Sequence, residues 1–140
     1  MSLLKAMSVA GSALRAQRTR MDTISSNLAN ADTTRTKEGG PYRRKDPLFA
    51  PQAESFDAEL GHATAQGVDV VGIVEDPRPP KMVYDPDHPD ANETGYVAMP
   101  NVNIVEEMVD MISASRSYEA ATSAVRTVKA MANAALEIGS

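Results

Sequence analysis

The chain has 140 residues, a formal net charge of −5, no cysteine, and only four Tyr, two Phe and no Trp. Disulfide scaffolds, Cys-based zinc sites and thiol nucleophiles are therefore excluded, and a large globular core is not expected, because bulky side chains that dominate burial energy are scarce. Residues 1–45 hold nine Lys and Arg against three Asp and Glu, while residues 46–113 hold two against fourteen; so acidic a centre argues against wrapping nucleic acid and suits copies that steer one another into register.

From Leu3 the positions Met7, Ala10, Leu14, Gln17, Met21, Ile24, Leu28 and Ala31 recur at alternating steps of four and three, a heptad stripe with one polar interruption at Gln17. A helix over residues 3–31 is predicted, ended by Asp32-Thr33-Thr34, whose side chains compete with the helical backbone. Leu3, Leu4, Val9 and Ala13 superficially resemble a signal peptide. Lys5 interrupts them, however, and the periodicity runs on through Arg15, Arg18 and Arg20, so the segment reads as mature structure rather than a cleaved address. No stretch approaches the roughly 18 uncharged apolar residues of a membrane span, and no membrane insertion is expected.

Residues 32–100 hold all nine prolines and six of the eight glycines, which marks loops and strands. Val68 to Glu75, Lys81 to Tyr84 and Tyr96 to Met99 are predicted as short strands. Gln52 to Thr64 is ambiguous between helix and strand. Gly39-Gly40-Pro41 predicts a sharp reversal. The basic run Arg35, Lys37, Arg43, Arg44 and Lys45, with Tyr42, reads as an electrostatic patch between subunits rather than a phosphate or RNA site, given the acidic segment that follows.

A second helix is announced by Pro100 and Asn101. Asn103 is the N-cap with Glu106 three residues on, and Glu106, Glu107 and Asp110 favour the positive end of the macrodipole. Ile104, Met108, Met111, Ser115, Tyr118, Thr122 and Val125 continue the four-three alternation. A neighbouring stripe of Ala121, Val125, Val128, Ala132 and Ala135 takes over toward Leu136, with Gly139 as the breaker.

Sites of chemistry are sparse. Asp85 to Glu93 is dense in oxygen ligands, but Pro89 and His88 break the order of a calcium loop and no glycine supplies its turn, so a solvated acidic loop is expected. His62 is remote in sequence, and the serines have no evident activating partner. No enzyme activity, metal or cofactor is expected.

The fold class that follows is mainly α: two long terminal helices in a coiled-coil-like pair, residues 1–34 and 101–140, with a small β-containing insert at 35–100. Both stripes spread over adjacent positions, Leu3 with Leu4, Met108 with Val109 and Met111 with Ile112, more than one seam covers. Assembly surfaces are therefore expected at Leu3, Met7, Leu14, Met21, Ile24, Asn27, Leu28 and Asn30 of the first helix. On the second they are expected at Ile104, Met108, Val109, Met111, Ile112, Tyr118, Val125, Val128 and Leu136. On periodicity alone an ordinary bundle core in a monomer or dimer stands level with assembly, and a soluble helical adaptor or chaperone of an export system uses the same stripes.

Ala16-Gln17-Arg18 and Met21 to Thr34 (MDTISSNLANADTT) resemble the N-terminal signature of bacterial flagellar rod, hook and hook-associated proteins. Gly95-Tyr96-Val97, Pro100 to Asn103, Glu106 to Ile112, Ser117 to Ala120 and Ala135 to Gly139 resemble the C-terminal half of the same family. Thr33 to Thr36 with Gly39 to Lys45 is similar to its proximal-rod members. Arg35-Thr36 stands where many axial proteins carry a Gly-aromatic pair, and Ala121 where the family often has Asn. The resemblance implies a subunit of the basal-body rod, exported through the flagellar type III apparatus without a cleaved signal and lying where the rod crosses the periplasm. It implies terminal helices in an inner coiled-coil layer, a middle segment as a small outer domain, and torque passing through interlocked helices. Implied partners are copies of itself, the rod proteins FlgB, FlgF and FlgG, and the adaptor FliE.

Overall fold

The computed structural model describes residues 3–52 and 66–138. Its elements run α1 (Leu3–Ala29), β1 (Lys45–Pro51), β2 (Val68–Glu75), β3 (Lys81–Tyr84), β4 (Tyr96–Met99) and α2 (Ile104–Ile138). The class is the expected one, and β2, β3 and β4 cover the predicted residues. All of the ambiguous segment beyond Gln52, together with His62 and Gly139, lies outside the described residues.

Both long helices end by side-chain chemistry that the sequence offers. At the end of α1 the Asn30 amide donates to the Ser26 carbonyl (2.9 Å), and the Asn30 carbonyl accepts from the Thr33 N–H (3.1 Å), which closes the helix slightly earlier than predicted. At the start of α2 the Asn103 side-chain oxygen accepts from the Val105 N–H (3.1 Å) and the Glu106 N–H (3.5 Å), the expected N-cap. The helices are about 40 and 52 Å long and pack antiparallel, since late α1 meets early α2 through Asn27 to Glu107 and Arg20 to Asp110.

The strand that the sequence concealed is β1, KDPLFAP. Its two prolines argue against a central strand, but β1 belongs to a two-stranded sheet, paired antiparallel with β2 alone from Lys45 opposite Glu75 to Pro51 opposite Val68. One side of β1 therefore needs no ladder donors, and a bulge between Leu48 and Phe49 absorbs the irregularity. A second antiparallel pair joins β3 and β4, Lys81 opposite Met99 and Tyr84 opposite Tyr96. Gly39 and Gly40 both take positive φ, 89° and 76°, in the reversal that delivers the chain to β1.

The β1–β2 hairpin lies along α1. The main chain of Lys45 is bonded to Asn27, and the Val68 N–H donates to the Ser12 hydroxyl at 3.0 Å. From Ser12 to Asn27 the helix rises about 22 Å, and β1 covers nearly the same length at about 3.3 Å per residue. Close approach is needed at the loop end of the β1–β2 ladder: a Cβ on Gly67 would stand 2.8 Å from the Ser12 hydroxyl oxygen. α1 is buried most deeply on Ser12, Ala16, Thr23, Ile24 and Asn27, of which only Ile24 lies on its heptad stripe, and the docking accounts for Ser12 and Asn27. Ala10, Leu14, Met21 and Leu28 are only half-buried and Met7 is exposed. A strand backbone presses closely only on small side chains, and its polar groups need partners there.

Asn103→Ala should lower stability by about 1 kcal/mol through loss of the cap, and Asn103→Asp should retain it. Denaturant unfolding of the purified chain measures both.

Candidate assembly interface

The junction of α1, β1 and α2 is a saturated polar knot. Asn27, 1% exposed, donates from its amide nitrogen to the Lys45 carbonyl (2.9 Å) and to Glu107 Oε2 (3.1 Å). Its amide oxygen accepts from the Lys45 N–H (2.9 Å) and the Tyr42 hydroxyl (3.0 Å). All four hydrogen-bonding positions of the amide are used. Glu107, 0% exposed, takes Asn27 on one carboxylate oxygen and the Arg44 Nε on the other at 2.5 Å.

Arg44 in turn pairs with Asp46 and lies 3.9 Å from Asp76 and 4.0 Å from Asp110, which also binds Arg20 at 3.0 Å. Burial pulls the Arg44 guanidinium pKa down, but its hydrogen bonds to Glu107 and Asp46 outweigh this and raise it overall. Asp76 is held at about 2, below the ordinary 3.8, first by hydrogen bonds from the Arg78 guanidinium and backbone N–H and then by the nearby charges.

The basic run is thus largely used within the chain. Arg44 enters the knot, Lys45 sits 5.7 Å over the Tyr42 ring, and Arg35 pairs with Asp90 at 2.7 Å, while Lys37 and Arg43 face solvent. The acidic 85–93 loop closes the β3–β4 hairpin. The Asn92 side-chain oxygen accepts from the Thr94 N–H, the Thr94 hydroxyl and the Tyr96 N–H, and Asp90 also accepts from the Thr34 hydroxyl. Among the described residues no three His, Asp or Glu side chains are grouped as metal ligands would be.

The expected assembly residues divide into three sets. Ile24 and Asn27 are buried inside the chain. Leu14, Met21, Leu28, Asn30, Met111, Tyr118, Val125 and Val128 are half-buried. Leu3, Met7, Ile104, Met108, Val109, Ile112 and Leu136 are exposed, and the structure adds Val105, 69% exposed, to this last set.

Ile104, Val105, Met108, Val109 and Ile112 form one stripe. At about 100° per residue its centre lies roughly 130° round α2 from Glu107, Ala114, Tyr118 and Val125, the side turned toward α1. The helix therefore has two apolar faces, of which α1 covers one. At about 1.5–3 kcal/mol for complete burial of each such side chain, the exposed part of the stripe holds roughly 4–9 kcal/mol of unrealised burial. That is comparable to the whole stability of a typical domain.

Sequence periodicity missed Arg44 and Glu107. The only available signal was that Glu107 falls seven residues before Ala114 and fourteen before Ala121, on the inward face, while Glu106 beside it is exposed.

Arg44→Ala leaves the Glu107 carboxylate buried without its cation and should cost about 3–5 kcal/mol, with Arg44→Met plus Glu107→Gln recovering much of the loss; urea unfolding compares the three. Because the folded-state pKa of Asp76 is depressed, its stabilisation is complete above the ordinary 3.8 and is lost as pH falls toward about 2. The unfolding midpoint of Asp76→Asn should then fall less steeply than that of the wild type across this window, as thermal melts would show.

Among known families, the one described as flagella basal body rod protein matches residues 7–37, and the one described as flagellar basal body rod FlgEFG protein C-terminal matches residues 93–138. The flagellar basal-body rod protein FlgC of Bacillus subtilis is 48% identical over 149 aligned positions, covering 99% of each chain. That of Borreliella burgdorferi is 46% identical, covering 99% of this chain and 98% of its own, and that of Salmonella typhimurium is 46% identical over 139 positions, covering 99% of each. No helix among the described residues is long and apolar enough to cross a membrane. With 46–48% identity to these relatives over nearly the whole of each chain, the chain belongs to the FlgC family of flagellar basal-body rod proteins, structural subunits of the rod.

Proposed function

We propose that this subunit transmits torque by packing α1 and α2 against neighbouring rod subunits in an inner coiled-coil layer, with residues 35–100 forming the outer part. The observation that carries the reading is the second apolar face of α2, which the chain's own folding leaves in water. An exposed patch of this size on a folded chain marks an interface, and its burial supplies free energy on the scale that association costs. The neighbours in this reading are copies of the chain and the rod proteins FlgB, FlgF and FlgG, with FliE as the adaptor at the base. The subunit reaches its place through the flagellar type III export apparatus and lies where the rod crosses the periplasm. Interlocked helices suit the mechanical task because a load along the rod is spread over many packed side chains, and the polar knot keeps the hairpin fixed to the helices while they bear it.

Val109→Asp puts a charge at the centre of the stripe, 61% exposed in the single chain, where it costs little until a neighbour arrives. The variant should unfold at the wild-type midpoint but yield no assembled rods and no swimming on soft agar. Wild-type motility would reject the reading.

A further inference from the structure

The β3–β4 hairpin stands apart from the rest of the fold. Its main chain does not approach that of α1, α2, β1 or β2, and Val97, 1% exposed, is the one buried side chain in its strands. Polar attachments at its two ends do the rest. At the base the Asn101 side chain accepts from the Arg44 N–H (2.9 Å) and donates to the Arg78 carbonyl (3.2 Å). At the tip the Asp90 carboxylate takes the Thr34 hydroxyl on one oxygen (2.8 Å) and the Arg35 guanidinium on the other (2.7 Å). Beside this clasp a cleft of about 320 Å³, lined in part by Pro41, Pro89, Ala91 and Ala98, lies between the loop after α1 and the hairpin. The clasp therefore spans a gap rather than a packed contact.

His88 aims Asp90. Its imidazole Nδ1 accepts from the Asp90 N–H at 3.0 Å. Its main chain closes the turn on both sides, the N–H donating to the Asp85 carbonyl (3.3 Å) and the carbonyl accepting from the Ala91 N–H (3.0 Å). Nδ1 can accept only in the neutral ring that carries its proton on Nε2. A second proton goes on Nδ1 itself, and two donors then face each other where one hydrogen bond was. Histidine is the side chain that ordinarily changes charge between about pH 5 and 8, while carboxylates ordinarily stay ionised there. The charged groups around the ring are Asp85, Asp87, Asp90 and Glu93 of its own loop and Arg35 across the clasp. An imidazolium thus has carboxylates to turn toward once it leaves the Asp90 N–H.

We infer that His88 is a pH-sensitive catch for the hairpin. Neutral, it aims Asp90 at Thr34 and Arg35 and holds the tip down. Protonated, it loses the Asp90 N–H and frees the tip, which moves about Val97 and Asn101. The base attachment uses a carboxamide, a backbone N–H and a carbonyl, none of which titrates in this range, so acid opens the tip and leaves the base in place.

Double electron–electron resonance on the purified chain tests this, because the chain has no cysteine of its own. Nitroxides on Lys37→Cys and Glu93→Cys, both exposed and neither in the clasp, report the gap between loop and tip. The distance distribution should be narrow at about pH 8 and about twice as wide at about pH 5.5, where a second conformation is populated. His88→Asn should keep it narrow at both, because a carboxamide oxygen still accepts from the N–H two residues on and does not titrate. With His88→Ala it should be wide at both. An unchanged wild-type distribution would overturn the inference, as would a His88→Asn chain that widens as the wild type does. Should the labels disturb the loop, proton–nitrogen correlation spectra of the unlabelled chain replace them. The Thr34 and Asp90 amide signals must then titrate with the midpoint of the His88 ring, and a Thr34 signal that stays still rejects the catch.

Discussion

The structure depends on the Asn27 amide and the Glu107 carboxylate being satisfied at the same point. Asn27 treats Lys45 as a neighbouring strand would, bonding both its N–H and its carbonyl, and adds Tyr42 and Glu107. Glu107 can be charged in a site without solvent only because Arg44 reaches it from the start of β1. One cluster thus ties together three pieces of chain far apart in sequence. A slip of either helix by one turn would leave a buried charge and a buried amide unpartnered, which costs several kcal/mol, so the knot fixes the register of α1 against α2 and of the hairpin against both.

Polar and apolar groups consequently divide the work. Inside the chain, specificity comes from hydrogen bonds and from small side chains that admit a close backbone, as at Ser12 and Gly67. Much of the large apolar surface is left outside: Val105, Val109 and Leu136 are more than 60% exposed. A monomer built for solution would reverse this allocation. In a rod subunit it is coherent with the packing we propose, in which the buried polar cluster sets the shape of each part and the uncovered apolar faces are left for neighbours.

The family matches fall on residues 7–37 and 93–138, the helices with their flanks. Asn27 belongs to one segment and Glu107 to the other, while Tyr42, Arg44 and Lys45 lie between them. The knot is where the two terminal helices meet the middle segment, and similarity to full-length FlgC proteins extends across that join.

The sequence by itself determined what depends on neighbours close in the chain. Heptad spacing set the two helices, Asn103 the start of α2, β-branched runs the three strands β2 to β4, and the paired glycines the reversal before β1. Local motifs in both helices also carried the family. Tertiary structure decided what depends on partners far away in sequence. β1 was hidden because Pro47 and Pro51 are unfavourable unless one side of the strand is free, a property of the sheet rather than the segment. The inward role of Ser12 and Asn27 on α1 was hidden because a polar side chain shows no buried partner until a hairpin backbone presents it with donors and acceptors. Arg44 read as part of a surface patch and Glu107 as a dipole-favouring surface charge, since nothing local shows that each neutralises the other in the interior. Nor do the helix lengths alone say at which end α2 outruns α1, because the knot is what brings the end of α1 level with the start of α2.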